Sequence, residues 1–120
     1  MEKIQSFEQL VAWQKAQGLA VLIYQITKTF PSDERFALMD QMRRAANSVS
    51  ANIAEGFGRR TSKDKIQFYS IAYGSVLEVK NYLYLAEKLG YMVEPDKKDA
   101  IGNVVDVQKL INSLIRAVKK

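Results

Sequence analysis

The sequence contains no cysteine and no histidine. Without cysteine there is no disulfide framework and no thiolate to act as nucleophile or ligand. With both types missing, Cys/His zinc sites, the Glu-x-x-His pairs of di-iron bundles and Ser-His or Cys-His nucleophile systems are excluded. Neither a Walker loop nor a GxGxxG fingerprint occurs. Proline occurs twice and glycine six times, so helix breakers are few and elements can run long. Long hydrophobic runs are absent too. The nearest, residues 19–26, is interrupted by Gln25, whereas a membrane span takes about twenty apolar residues. No cationic segment leads into an apolar run at the start, so a signal peptide is not expected and a cytoplasmic protein is.

What is present is helical periodicity over most of the 120 residues. The hydrophobic share of 48% suits a folded chain, and the length suits one domain. A first helix is predicted from an N-cap at Ser6, with Gln9 in the capping-box position, to about Thr29. Its inner face is Ala12, Ala16, Leu19, Ala20, Ile23, Thr27 and Phe30. Pro31 ends it, and Ser32 is predicted to cap a second helix running to Phe57, with Gly56 and Gly58 supplying a left-handed stop. Thr61 or Ser62 caps a third helix, which runs to about Leu89 and is ended by Gly90. Its core face is Phe68, Tyr69, Ala72, Ser75, Val76, Val79, Leu83 and Ala86. Pro95 opens a fourth, with Val104, Val107, Ile111, Leu114, Ile115 and Val118 inward. Short connections favour antiparallel neighbours, so the predicted fold is all-α, an up-down-up-down four-helix bundle.

Residues 41–60 organise the rest. Met39, Met42, Ala45, Ala46, Val49, Ile53 and Phe57 recur at helical spacing. Small residues fill the flanks, so this helix is predicted to pack on more than one side. Gln41, Arg44, Ser48, Asn52 and Glu55 form a second, polar stripe. Gln41-Met-Arg-Arg-Ala-Ala, then Asn52-Ile-Ala-Glu-Gly56, then an aromatic, a glycine and basic residues, resemble the family of proteins encoded in intervening sequences of bacterial 23S ribosomal RNA genes, also labelled S23 ribosomal protein. Phe7…Leu10…Trp13…Ala16, Tyr24…Thr27…Phe30-Pro31…Glu34, Ala72-Tyr-Gly-Ser75…Glu78 and Gly90-Tyr91 fit as well. The family is similar in turn to the accessory variability protein of diversity-generating retroelements, which is thought to act with a reverse transcriptase. The resemblance implies a four-helix bundle in a ring-shaped homo-oligomer, a pentamer, and a role in nucleic-acid binding.

The net charge is +5. Between residues 41 and 65, Arg43, Arg44, Arg59, Arg60, Lys63 and Lys65 face only Glu55 and Asp64. A basic stretch of this kind is the footprint of a phosphate partner, and equally of a solvated helix end. Arg116, Lys119 and Lys120 complement the dipole of the last helix and add a weaker cluster. A second apolar stripe on the third helix, Ile66, Tyr73, Leu77 and Tyr84, has coiled-coil-like spacing. Together with Val21 and Leu22 on the first helix it is the candidate subunit contact. Its alternative is a central helix touching neighbours on both sides. The six tyrosines and Trp13 suit either a core and interface or the stacking of bases. Glu55 can pair with Arg59, and Glu78 can reach a cation or a serine on a facing helix.

These residues predict a non-enzymatic homo-oligomer, with no cofactor or metal, that binds RNA or DNA through phosphates. The other reading is a protein-interaction scaffold, in which the polar stripe is a packing surface and the charge serves solubility or an acidic partner.

Overall fold

Leu10 divides what the sequence predicts as one helix. In the computed structural model, which describes residues 3–119, a single 3-10 turn, Phe7–Gln9, precedes an extended Leu10 (φ −73°, ψ 125°). The helix α1, Val11–Thr27, starts only after it. The Gln9 side chain accepts the Ser6 and Gln5 N–H groups, at 3.2 and 2.7 Å. Gln14 Nε2 donates to the Glu8 carbonyl at 2.9 Å. The break lets Phe7 meet Trp13 edge-on at 5.2 Å, an arrangement aromatic rings favour.

The second predicted helix is divided as well. Ser32–Glu34 is one 3-10 turn, and α2 is Leu38–Phe57. Ala37, at φ −122° and ψ −106°, lies outside helical geometry. Glu34 caps α2 in place of Ser32: one carboxylate oxygen accepts the Leu38 N–H, at 3.2 Å, and the other accepts the Tyr91 hydroxyl at 2.7 Å. That second bond holds Tyr91 protonated above the ordinary tyrosine value, with desolvation and the Glu34 charge acting the same way.

The helix α3, Ser62–Lys88, opens at Thr61, whose hydroxyl accepts the Asp64 N–H. Gly90 closes it at φ 82°, with the Tyr91 N–H on the Ala86 carbonyl and the Gly90 N–H on the Glu87 carbonyl. The helix α4 is Glu94–Lys119; Lys120 lies outside the described residues. Gly58 does not provide the predicted left-handed stop, since its φ is −78°. At Gly56 the requirement is space. A Cβ there would sit 2.8 Å from Tyr69 Cε1 and 3.0 Å from Phe68 Cβ, so its absence sets how closely α2 and α3 approach.

Hydrogen bonds between helices fix their directions. Gln17, Tyr24 and Arg43 tie α1 to α2 through the pairs 17–50, 24–47 and 27–43. Ser75 meets Ser48 at 2.8 Å, and Gly56 faces Tyr69. Tyr73 meets Gln108, and Glu87 meets Lys97. In each pair one number rises as the other falls, so consecutive helices are antiparallel. Each helix packs on the next, and α1 packs on α4, which places α1 and α3 across the core from one another. Leu19, Ile23, Met42, Ile53, Val76, Leu83, Val104 and Ile111 fill that core with no exposure above 0%. The buried apolar residues lie on predicted inner faces except Leu10, Leu38, Met92 and Ala100, which are buried without having been expected there. Among the described residues no helix is long and apolar enough to cross a membrane.

Candidate nucleic-acid interface

The six candidate phosphate-binding cations do not form one patch. Arg43 and Arg44 lie about 16 residues before Arg59 and Arg60 on nearly the same helix, which at 1.5 Å per residue is about 24 Å. Arg43 sits on the C-terminal end of α1. Its Nε donates to Thr27 Oγ1 at 2.8 Å, a terminal nitrogen donates to the Tyr24 carbonyl at 3.3 Å, and the guanidinium lies 4.5 Å from the Tyr24 ring centroid. A cation there complements the negative end of the helix dipole. Arg44 is exposed and pairs with Asp40 at 2.9 Å.

The other four cations cluster around the α2–α3 turn in two kinds. Arg59 pairs with Glu55 at 3.1 Å and covers the Phe68 ring at 4.4 Å. Phe68, expected in the core, is half-buried beneath it. The Lys65 ammonium donates to the Phe57 carbonyl at 2.6 Å, capping α2, and sits 5.3 Å from the Phe57 ring. Arg60 and Lys63 are exposed and make no ion pair or side-chain hydrogen bond among the described residues.

The register of the bundle adds two residues that linear spacing did not join to this turn. Tyr73 lies level with Gln108. Eleven residues back along α3 is Ser62, and eleven forward along α4 is Lys119, so the two ends are level. Lys119 also returns to the face of α4 that carries Gln108. Arg116, one turn earlier, is exposed, and its only side-chain hydrogen bond among the described residues is to Ser113 Oγ at 3.0 Å. At this end, residues 7–18, 52–72 and 110–119 carry Lys15, Arg59, Arg60, Lys63, Lys65, Arg116 and Lys119 against Glu8, Glu55 and Asp64. At the other end, residues 25–45 and 79–99 hold eight cations and seven carboxylates.

The candidate subunit residues divide as well. Tyr73 accepts a hydrogen bond from Gln108 at 3.5 Å and, like Ile66, is half-buried. Contact with α4 therefore accounts for Tyr73. Leu77 and Tyr84 remain 46% and 42% exposed, although Lys97 lies 5.0 Å from the Tyr84 ring centroid. On α1, Val21 is 57% exposed. Leu22 lines a cleft of about 320 Å³ with Ile26, Tyr91, Met92, Asp96 and Asp99. Glu78 is exposed and has no partner among the described residues, contrary to the expected reach to a facing helix. The polar stripe on α2 is structural in its centre: Ser48 accepts from Asn52 and meets Ser75.

An antiparallel four-helix bundle with one basic end is the class that fold and charge define. The chain belongs to the 23S rRNA-intervening sequence protein family, which matches over residues 8–113. Its fold is similar to the crystal structure of a protein of unknown function from the S23 ribosomal protein family of Bacteroides thetaiotaomicron. That similarity has a TM-score of 0.81 at 24% identity, over 88% of this chain and 96% of that one. No curated protein matches the chain.

Proposed function

We propose that the protein is a non-enzymatic, homo-oligomeric nucleic-acid-binding protein that grips RNA or DNA through its backbone phosphates. The observation that carries this reading is the pair Arg60 and Lys63, exposed and without a carboxylate partner at the most basic end of the bundle. Phosphate contacts of this type give binding that is salt-dependent and largely indifferent to sequence. The family's association with a ribosomal RNA gene agrees with such a partner.

Oligomerisation supplies the avidity that two cations per chain lack. Exposed apolar residues stand on two helices across the core from each other, Val21 on α1 and Leu77 and Tyr84 on α3. Two unlike faces suit a head-to-tail contact, which closes into a ring when the rotation allows. The resemblance gives five as the subunit number.

The test is binding of labelled RNA and DNA over a salt series by protein of known mass in solution. An oligomer whose affinity falls steeply with salt, and falls further in Arg60→Ala/Lys63→Ala, is the expected result. An oligomer with no binding near physiological salt overturns the reading.

A protein-interaction scaffold is favoured by one observation. Four of the six candidate cations are engaged within the chain, two with carboxylates and two with helix ends. Under that reading the α1–α4 cleft, apolar with Asp96 and Asp99 among its lining, receives a segment of a protein. Capture of one defined partner, lost in Leu22→Glu, together with the absence of nucleic-acid binding, would establish it.

A further inference from the structure

We infer that the phosphate surface is the whole end of the bundle, shared between the α2–α3 turn and the last turn of α4, and that it takes double-stranded rather than single-stranded nucleic acid. The inference rests on the nucleic-acid reading above and adds both the second half of the site and the form of the ligand.

The second half follows from register. Antiparallel α3 and α4 bring Lys119 level with Ser62, one residue from Lys63. Adjacent helix axes lie about 8–10 Å apart, so the cations of the two elements share one end of the bundle. Arg116 and Lys119 do more there than complement a helix dipole. They extend the positive end beyond the turn, and neither has a carboxylate partner among the described residues. The end of the bundle spans about 25 by 19 Å in cross-section. Duplex DNA carries one charge per about 1.7 Å of its axis, so a footprint of this size faces several phosphates on both strands.

The form of the ligand follows from the aromatic rings. Single strands are held by stacking their bases on exposed rings, at about 1–3 kcal/mol per base. At this end no ring is exposed among the described residues: Phe7, Trp13, Phe57 and Phe68 are half-buried and Tyr69 is buried. Arg59 covers Phe68, Lys65 lies over Phe57, and Phe7 and Trp13 pack on each other. The exposed rings, Tyr24, Phe36 and Tyr84, belong to the middle and the opposite end. A surface with cations and no open ring reads the phosphate backbone alone, and a duplex offers the denser array of charge.

The experiment titrates the intact protein against three ligands of matched length: a DNA duplex, an RNA duplex and an unstructured single strand. Two double variants accompany it, Arg60→Gln/Lys63→Gln and Arg116→Gln/Lys119→Gln. All four residues are exposed, and circular dichroism verifies the fold of each variant. The expected result is duplex binding stronger than single-strand binding. Each double variant should weaken duplex binding about tenfold or more and lower the slope of log K against log salt by about two, near one per lost phosphate contact. Equal losses with the two duplexes assign the site to phosphates, and a loss confined to RNA assigns it to RNA geometry while keeping the shared surface. Binding that depends on Arg60 and Lys63 but is unchanged in Arg116→Gln/Lys119→Gln overturns the shared surface and leaves the nucleic-acid reading standing. Single-strand binding equal to or tighter than duplex binding overturns the ligand assignment. Absence of binding to all three overturns the nucleic-acid reading itself.

Discussion

Two glycines show how a residue type says less than its surroundings. Gly18 lies in the exposed interior of α1, and a Cβ there meets nothing within 4 Å. Gly18→Ala should stabilise the protein by about 0.5–1 kcal/mol through helix propensity. Gly56→Ala gains the same propensity but drives a methyl into the buried Tyr69 ring. Overpacking of this kind costs about 1–3 kcal/mol, so the net effect should be destabilising, and urea unfolding of both variants would reveal the opposite signs. The sequence marked Gly56 as small but assigned it to a helix stop, because Tyr69 is 13 residues away and its approach is tertiary. Arg43 is a parallel case. Its composition-level reading is a phosphate ligand, and only the position of the α1 end converts it into a cap for Tyr24 and Thr27.

At the scale of elements, periodicity carried most of the fold. The inner faces of all four helices match the buried residues closely, because apolar spacing at 3.6 residues is a local signal. The breaks at Leu10 and Ala37 were not legible. No proline or glycine announces them, and each is held by contacts between segments, Phe7 on Trp13 and Glu34 on Tyr91. Thr61 and Gly90 were legible, since an N-cap hydroxyl and a left-handed glycine act through the local backbone. Thr61→Ala should cost about 1 kcal/mol, measurable by thermal unfolding. Tyr91→Phe removes the bond that joins the turn before α2 to the turn after α3, and should lower the melting temperature at pH 7. The raised pKa of Tyr91 fixes the sign of its pH dependence. The bond contributes fully below the ordinary tyrosine value of 10.0 and is lost as pH rises through the higher folded value. The wild type should therefore lose stability above pH 10 more steeply than Tyr91→Phe.

The whole molecule shows why the basic stretch was only half readable. Along the sequence, residues 41–65 look like one positive tract. In the bundle, α2 carries its two ends to opposite poles, while α4 returns Arg116 and Lys119 to the pole of Arg60 and Lys63. The seam on α3 divides for a related reason: α4 takes up Tyr73, while Leu77 and Tyr84 stay exposed. If those residues form the subunit contact proposed above, Leu77→Lys should reduce the mass in solution to that of a monomer without loss of helicity. Light scattering with circular dichroism checks both. An unchanged mass would remove Leu77 from the interface.

The uneven charge has a consequence for motion as well as for contact. Each copy is about 45 Å long, with its positive excess at one end, and so carries a permanent electric dipole along its length. In the field of a polyanion such a body experiences a torque before it touches anything, and it arrives already pointed with its basic end forward. Alignment during approach raises the association rate constant and makes that constant sensitive to ionic strength. Stopped-flow mixing with a duplex should therefore show capture slowing markedly as salt is added, and moving the excess charge to the other end would reverse the attitude in which the molecule arrives.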